Sequence, residues 1–186
     1  EKQTLLEDRV EQQARAHLEF YQVRSNVPPS GTKVRAKGRF LAEKYWLMEG
    51  KLHQGRAGYE VVVPFATDSG ELLLVNRGWV PASHDREILP SIDMPLSVVS
   101  LLGTLMQPSD SLLIDEKNNV LQRWPHRVLE LDILQMSKQY AGEFYPLVLE
   151  LSDESEAVFV AKVRKINVSP AKHRAYALQW FAMASV

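Results

Sequence analysis

Cysteine is absent from the 186 residues, which excludes disulfides, thiolate catalysis and sulfur-ligated metal sites while leaving the cellular compartment open. An excess of charge of one sign is also missing. Twenty-two Lys and Arg stand against 23 Asp and Glu, so no global field recruits nucleic acid or an anionic membrane. No G-x-S-x-G elbow, H-E-x-x-H pair, phosphate-binding loop or G-x-G-x-x-G turn occurs. The histidines (His17, His53, His84, His126 and His173) are scattered, with no pair at helical chelating distance. Carboxylates fall singly or in turn-like groups such as Asp153-Glu154-Ser155-Glu156, which read as solvated. These absences argue against an enzyme. The chain opens Glu1-Lys2-Gln3, with neither a starting Met nor the apolar segment of a signal peptide.

What is present has the length of one domain with a sizeable core. Leu6, Val10, Ala14 and Leu18 recur at every fourth position, joined by Leu5 and Tyr21, so residues 1–24 are expected to hold a helix on one apolar face. Pro28-Pro29 ends it. Residues 25–166 carry strand grammar: short β-former runs at 34–41 and 45–52, then Gly58 to Phe65 and Leu72 to Val75 around Asp68-Ser69-Gly70. The last pair is a strong hairpin signal. Pro64 and Pro81 belong at an edge, a bulge or a strand end. Further strands are expected at 96–106, with Gly103 as a bulge or bend, and at 145–151 and 158–166. A short helix is expected at 128–140. The fold class is α+β: an antiparallel, partly closed β-barrel or strongly bent sheet of six or seven strands with flanking N- and C-terminal helices.

Residues 167–186 form an apolar, aromatic helix pattern behind a basic cluster. It amounts to about half a membrane span, with Tyr176, Trp180 and Phe181 where an interfacial aromatic belt would lie. An amphipathic terminal helix and the start of a membrane helix both fit. The pentad Arg123-Trp124-Pro125-His126-Arg127 is a weak nucleic-acid signal in a near-neutral chain, and no nucleic-acid partner is expected.

Two blocks are more specific. Gly58-Tyr59-Glu60-Val61-Val62-Val63-Pro64 leads, through the turn, to Val75-Asn76-Arg77-Gly78-Trp79-Val80-Pro81. The chain then closes with His173, Arg174, Tyr176-Ala177 and Trp180-Phe181. Together with Trp124, these blocks resemble the two signature regions of the SURF1 (surfeit locus protein 1) family. The resemblance implies an assembly factor for haem-copper cytochrome c oxidase, with two transmembrane helices flanking a domain. That domain would face the periplasm of a bacterial inner membrane or the mitochondrial intermembrane space. It also implies oxidase subunit I or other assembly factors as partners, and haem a as a cofactor handled at His173. Tyr176 and Trp180 would pack on the macrocycle and Arg174 would pair with propionates. A haem-independent scaffold that stabilises a nascent oxidase subunit is the alternative. For Gly58, Tyr59, Pro64, Asn76, Arg77, Gly78, Trp79 and Pro81 a structural role is the favoured reading. Arg77 is the exception, because a charge beside a strand end must find a carboxylate, a carbonyl or a partner, and the other reading has Asn76 and Arg77 facing an oxidase subunit or the haem edge.

Overall fold

The computed structural model describes residues 17–85, 88–108 and 124–161. Among these, the order is β1 (Leu18–Glu19), α1 (Phe20–Val23), β2 (Thr32–Phe40), β3 (Trp46–His53), β4 (Arg56–Thr67), β5 (Leu72–Pro81), β6 (Val99–Met106), β7 (His126–Val128), α2 (Ile133–Tyr140) and β8 (Phe144–Leu151). Among the described residues of the segment expected to be an N-terminal helix, Leu18–Glu19 is extended and the four residues of α1 are helical. The rest of that segment, residues 1–16, and all of 167–186 lie outside the described residues.

One eight-stranded sheet runs β1-β2-β6-β8-β5-β4-β3-β7, with an additional β2–β4 pairing. The pairings β2–β6, β6–β8, β8–β5, β5–β4 and β4–β2 therefore form a circuit that returns to its start. This is a strongly bent sheet of eight strands rather than six or seven. It is not purely antiparallel either: β1–β2, β3–β7 and β5–β8 are parallel.

Side chains alternate across each strand, and here both faces are used. Leu47, Val61, Val63, Phe65, Leu73, Val75 and Leu149 point to one core, with α1 supplying Phe20. Trp46, Met48, Val62, Leu74 and Val148 point to the other, where Met136 of α2 covers them. This explains the continuous apolarity of β4 and β5, since each parity faces its own core. Each fully buried aliphatic or aromatic side chain contributes about 1.5–3 kcal/mol.

Three local expectations change. Of the places expected for Pro64, the sheet edge and the strand end are excluded because β4 continues to Thr67, while the β4–β5 bulge between Glu60 and Val62 lies just before it. Pro64 sits at a seam on β4, between the last pair with β3 (Trp46↔Val62) and the first with β2 (Phe40↔Phe65), where its carbonyl accepts from Leu41 N at 2.9 Å. The imide nitrogen faces that same seam, so the ladder to β5 loses no donor. Gly103 is in regular register with both Val34 and Leu151, not in a bulge. It is small because a Cβ there would lie 2.3 Å from the Glu150 carbonyl oxygen. The helix expected at 128–140 begins at Ile133, where Asp132 caps it by accepting from Gln135 N at 3.0 Å. The stretch before it, His126–Val128, is strand β7. Of the strand expected at 158–166, the described part makes a single bridge, Trp79↔Val160.

The β4–β5 hairpin matches expectation. Gly70 takes a φ of 98°, and Thr67 N donates to Glu71 O at 3.0 Å. Arg24, just after α1, ties down this turn through Ser69 O at 2.9 Å and Glu71 Oε1 at 2.8 Å. No helix among the described residues is long and apolar enough to cross a membrane.

Candidate functional site

The signature residues of the hairpin come together around a β-bulge. Glu60 pairs with Trp79 and Val62 with Asn76, so Val61 alone opposes Arg77 and Gly78. Gly78 takes a φ of 95°, open to glycine at little steric cost. The bulge turns β5 outward to receive residues 157–161. Phe159 N donates to Arg77 O at 2.7 Å, Trp79 N to Val160 O at 2.7 Å and Val160 N to Trp79 O at 3.2 Å. A Cβ on Gly78 would lie 2.3 Å from Val160 O, so only glycine lets the two chains approach this closely.

Arg77 is 2% exposed and has the contacts its burial demands. Its Nε donates to Ala157 O and its Nη1 to Asp93 O, each at 2.7 Å, and Nη1 also lies 3.0 Å from Met94 Sδ. The guanidinium stacks over Phe159 at 4.2 Å and Phe40 at 5.0 Å. Burial lowers its pKa to about 10, with Asp93 opposing the shift, and the group remains a cation at neutral pH. The accepting carbonyl of Ala157 belongs to a residue held at a φ of 60°, an uncommon conformation for alanine.

Asn76 and Glu60 complete the interior of the bulge. Asn76 Nδ2 donates to Glu60 Oε2 at 2.6 Å, while Asn76 Oδ1 accepts from Gly78 N at 2.9 Å, so one amide satisfies a buried carboxylate and the bulge backbone. Trp79 closes the outer side. Its Nε1 donates to Lys51 O at 3.3 Å, and its ring lies 5.1 Å from that of His53. The same indole covers Gly58, where a Cβ would come within 2.4 Å of the ring. Tyr59 is buried in the first core, and Pro81 ends β5 opposite Gly58.

Trp124 is not part of this cluster. It stacks on His126 at 3.8 Å and 7° and meets Trp46 edge-on at 5.1 Å. Lys44 Nζ sits 5.9 Å from the Trp124 ring centre and 5.4 Å from that of Tyr140. Gln139 Oε1 accepts from Trp46 Nε1 at 2.8 Å. Of the basic-aromatic pentad, His126 is buried, Trp124 and Pro125 are half-buried, Arg127 is exposed and paired to Glu49 at 3.1 Å, and Arg123 lies outside the described residues. His173, Arg174, Tyr176 and Trp180 lie outside the described residues. No group of three or more His, Asp or Glu that could hold a metal ion occurs among the described residues.

Sequence reasoning missed Glu60 and the segment 157–161. A single acid inside the otherwise apolar run Gly58 to Pro64 was a signal for the first, since a buried carboxylate requires a donor. For the second the only signal was the demand of Arg77 itself.

The bulge and the strap of residues 157–161 form a positioning arrangement within the fold. Its polar groups are engaged with one another, and no nucleophile or acid–base pair is held open to substrate. The model of the SURF1 family matches residues 1–185. A SURF1-like protein of Rickettsia bellii is 29% identical over 182 residues, covering 90% of this chain and 69% of that protein. One from Rickettsia prowazekii is 28% identical over 163 residues, covering 82% and 63%. An uncharacterized SURF1-like protein of Mycobacterium bovis is 23% identical over 154 residues, covering 81% and 54%. The chain thus spans 54–69% of the length of these relatives.

Proposed function

The chain belongs to the SURF1 family, and on that premise we propose that it serves as an assembly factor for haem-copper cytochrome c oxidase, handling haem a for oxidase subunit I. The observation that carries this reading is the strap. Arg77, Gly78 and Trp79 grip residues 157–161, immediately before the segment that ends in His173, Arg174, Tyr176 and Trp180. A β-sheet that anchors residues 157–161, which precede those residues in sequence, suits a protein that presents a ligand at a membrane surface. We also read the strand circuit through β2, β4, β5, β6 and β8 as a partly closed barrel. On this reading the domain faces the periplasm of a bacterial inner membrane, or the mitochondrial intermembrane space, held by helices flanking it. Its partners are subunit I or other assembly factors.

The donor chemistry of the terminal segment fits haem a. An imidazole at His173 serves as an axial ligand, the faces of Tyr176 and Trp180 suit a macrocycle, and Arg174 matches a propionate. When bound, the haem would be the cargo, not a redox centre of this protein. The competing reading is a haem-independent scaffold, favoured by the engagement of the signature side chains within the fold.

A visible-absorption titration of haem a into the whole protein in detergent, beside His173→Ala, separates the two. Saturable, near-stoichiometric binding that is lost in the variant supports haem handling. Weak, non-saturating spectra identical in both proteins overturn it in favour of the scaffold.

A further inference from the structure

Strand β2 reads Thr-Lys-Val-Arg-Ala-Lys-Gly-Arg-Phe, and its period-two pattern does two separate jobs. Val34, Ala36 and Phe40 enter the core, while Lys33, Arg35, Lys37 and Arg39 are all exposed on the opposite face. At about 3.3 Å per residue, these four cations form a row roughly 20 Å long. On the β6 and β4 sides their cross-strand neighbours are uncharged (Thr104 opposite Lys33, Leu102 opposite Arg35, Ser100 opposite Lys37 and Ala66 opposite Arg39), while on the β1 side Glu19 is the register partner of Arg35. α2 packs over Trp46, Leu74 and Val148, away from this row.

The nearby acids are fewer. Glu19 lies 3.5 Å from Arg35 as an exposed pair, and Asp68 lines a small concavity of about 250 Å³ with Arg35, Lys37 and Tyr21. Glu150 stands one strand further away, opposite Thr104. In a chain whose net charge is −1, this local excess is not a by-product of overall basicity. At the same edge Tyr21 and Leu18 are 61% and 46% exposed.

We propose that this face of β2 docks the domain onto anionic lipid headgroups, with Lys33, Arg35, Lys37 and Arg39 meeting phosphates and Tyr21 settling at the interface. An acidic protein partner would want an apolar, well-packed centre within a polar rim. Here the centre is cationic and the apolar residues sit at one edge. A plane of headgroups asks only for a row of like charge with amphipathic side chains beside it. This inference goes beyond oxidase assembly and does not depend on haem.

The test is co-sedimentation of the whole chain with phosphatidylcholine vesicles, with and without phosphatidylglycerol, at low and high salt. Lys37→Gln/Arg39→Gln is compared with Arg56→Gln/Lys138→Gln, which removes exposed cations elsewhere. Each cation near an anionic surface is worth about fivefold in partitioning, so the first pair is expected to lose roughly 25-fold in binding, and salt to erase the difference. The control pair stays within about twofold of the parent on the same scale. If melting of the first pair is also disturbed, Lys37→Arg/Arg39→Lys, which keeps both charges, must retain binding. Equal losses in both pairs, binding indifferent to phosphatidylglycerol, or failure of the charge-keeping variant each overturn the proposal. So does unchanged vesicle binding with weakened binding of a poly-glutamate peptide, which would assign the face to an acidic protein.

Discussion

Replacing Arg77 with alanine removes more from the fold than from any surface. Two charge-assisted hydrogen bonds to the carbonyls of Ala157 and Asp93 disappear, each worth about 1.5–3 kcal/mol. The stacks on Phe159 and Phe40 add about 1–2 kcal/mol. Against this stands the burial of the guanidinium, which lowers its pKa to about 10 and corresponds to roughly 3 kcal/mol of cost recovered on truncation. The balance is a destabilisation of about 3 kcal/mol, or a fall in Tm of about 6–12 °C for a domain of this size. Thermal melting by circular dichroism measures that fall. Amide exchange locates it, because Phe159 and Val160 donate to Arg77 O and Trp79 O and should lose protection first. Arg77→Lys should lose less, since an ammonium keeps the charge but cannot reproduce the fork. An Arg77→Ala protein with unchanged melting and unchanged exchange at Phe159, yet defective in oxidase assembly, would refute the structural assignment and turn Arg77 into a partner contact.

Gly78→Ala is expected to cost about 2–3 kcal/mol, because the new Cβ meets Val160 O at a φ of 95°. Amide exchange should show Trp79 N–H exposed while Thr67 N–H, at the far end of the hairpin, stays protected. Glu71→Gln probes the other end of the sheet through pH. Burial pushes the Glu71 carboxyl up, but hydrogen bonds from Ser69, Arg24 and Thr67 outweigh it and hold the group below its ordinary 4.5. A carboxylate depressed in the folded state adds stability that is complete above the unfolded value and drains away as pH falls through the folded one. The parent should therefore lose more Tm on acidification below about pH 4.5 than Glu71→Gln does. An equal loss in both would show that these hydrogen bonds do not favour the charged form.

The parts of this fold legible in the sequence are those whose causes are local. The hairpin from Gly58 to Val75 was readable because Asp68-Ser69-Gly70 encodes its turn and two apolar runs flank it. Strand β7 was not, because His126–Val128 has no strand pattern of its own and becomes extended by pairing with Trp46–Met48. Helix α2 was placed too early for the same reason, although Asp132 with Gln135 three residues on marks its true start. Pro64 misled because a seam exists only once two other strands have chosen their partners. The need of Arg77 for an acceptor was plain, whereas the acceptors lie 16 and 80 residues away in sequence.

The same contrast bears on what the signature block can say about function. Asn76 satisfies Glu60 and the bulge backbone, Gly78 admits Val160, Trp79 roofs Gly58, and Arg77 holds the carbonyl of Ala157. Every one of these residues acts on the path of the main chain, and the path they set is that of residues 157–161. A substitution in the block displaces that strap whether or not any of its atoms ever touches an oxidase subunit or a haem. Lost assembly activity in such a variant therefore reports on positioning first. Contact with a partner is demonstrated only where activity falls while melting and the exchange of Phe159 and Val160 stay at parental values. That pattern is expected only at exposed residues such as Lys37 and Arg39, and on this geometry it should never be found at Arg77 or Gly78.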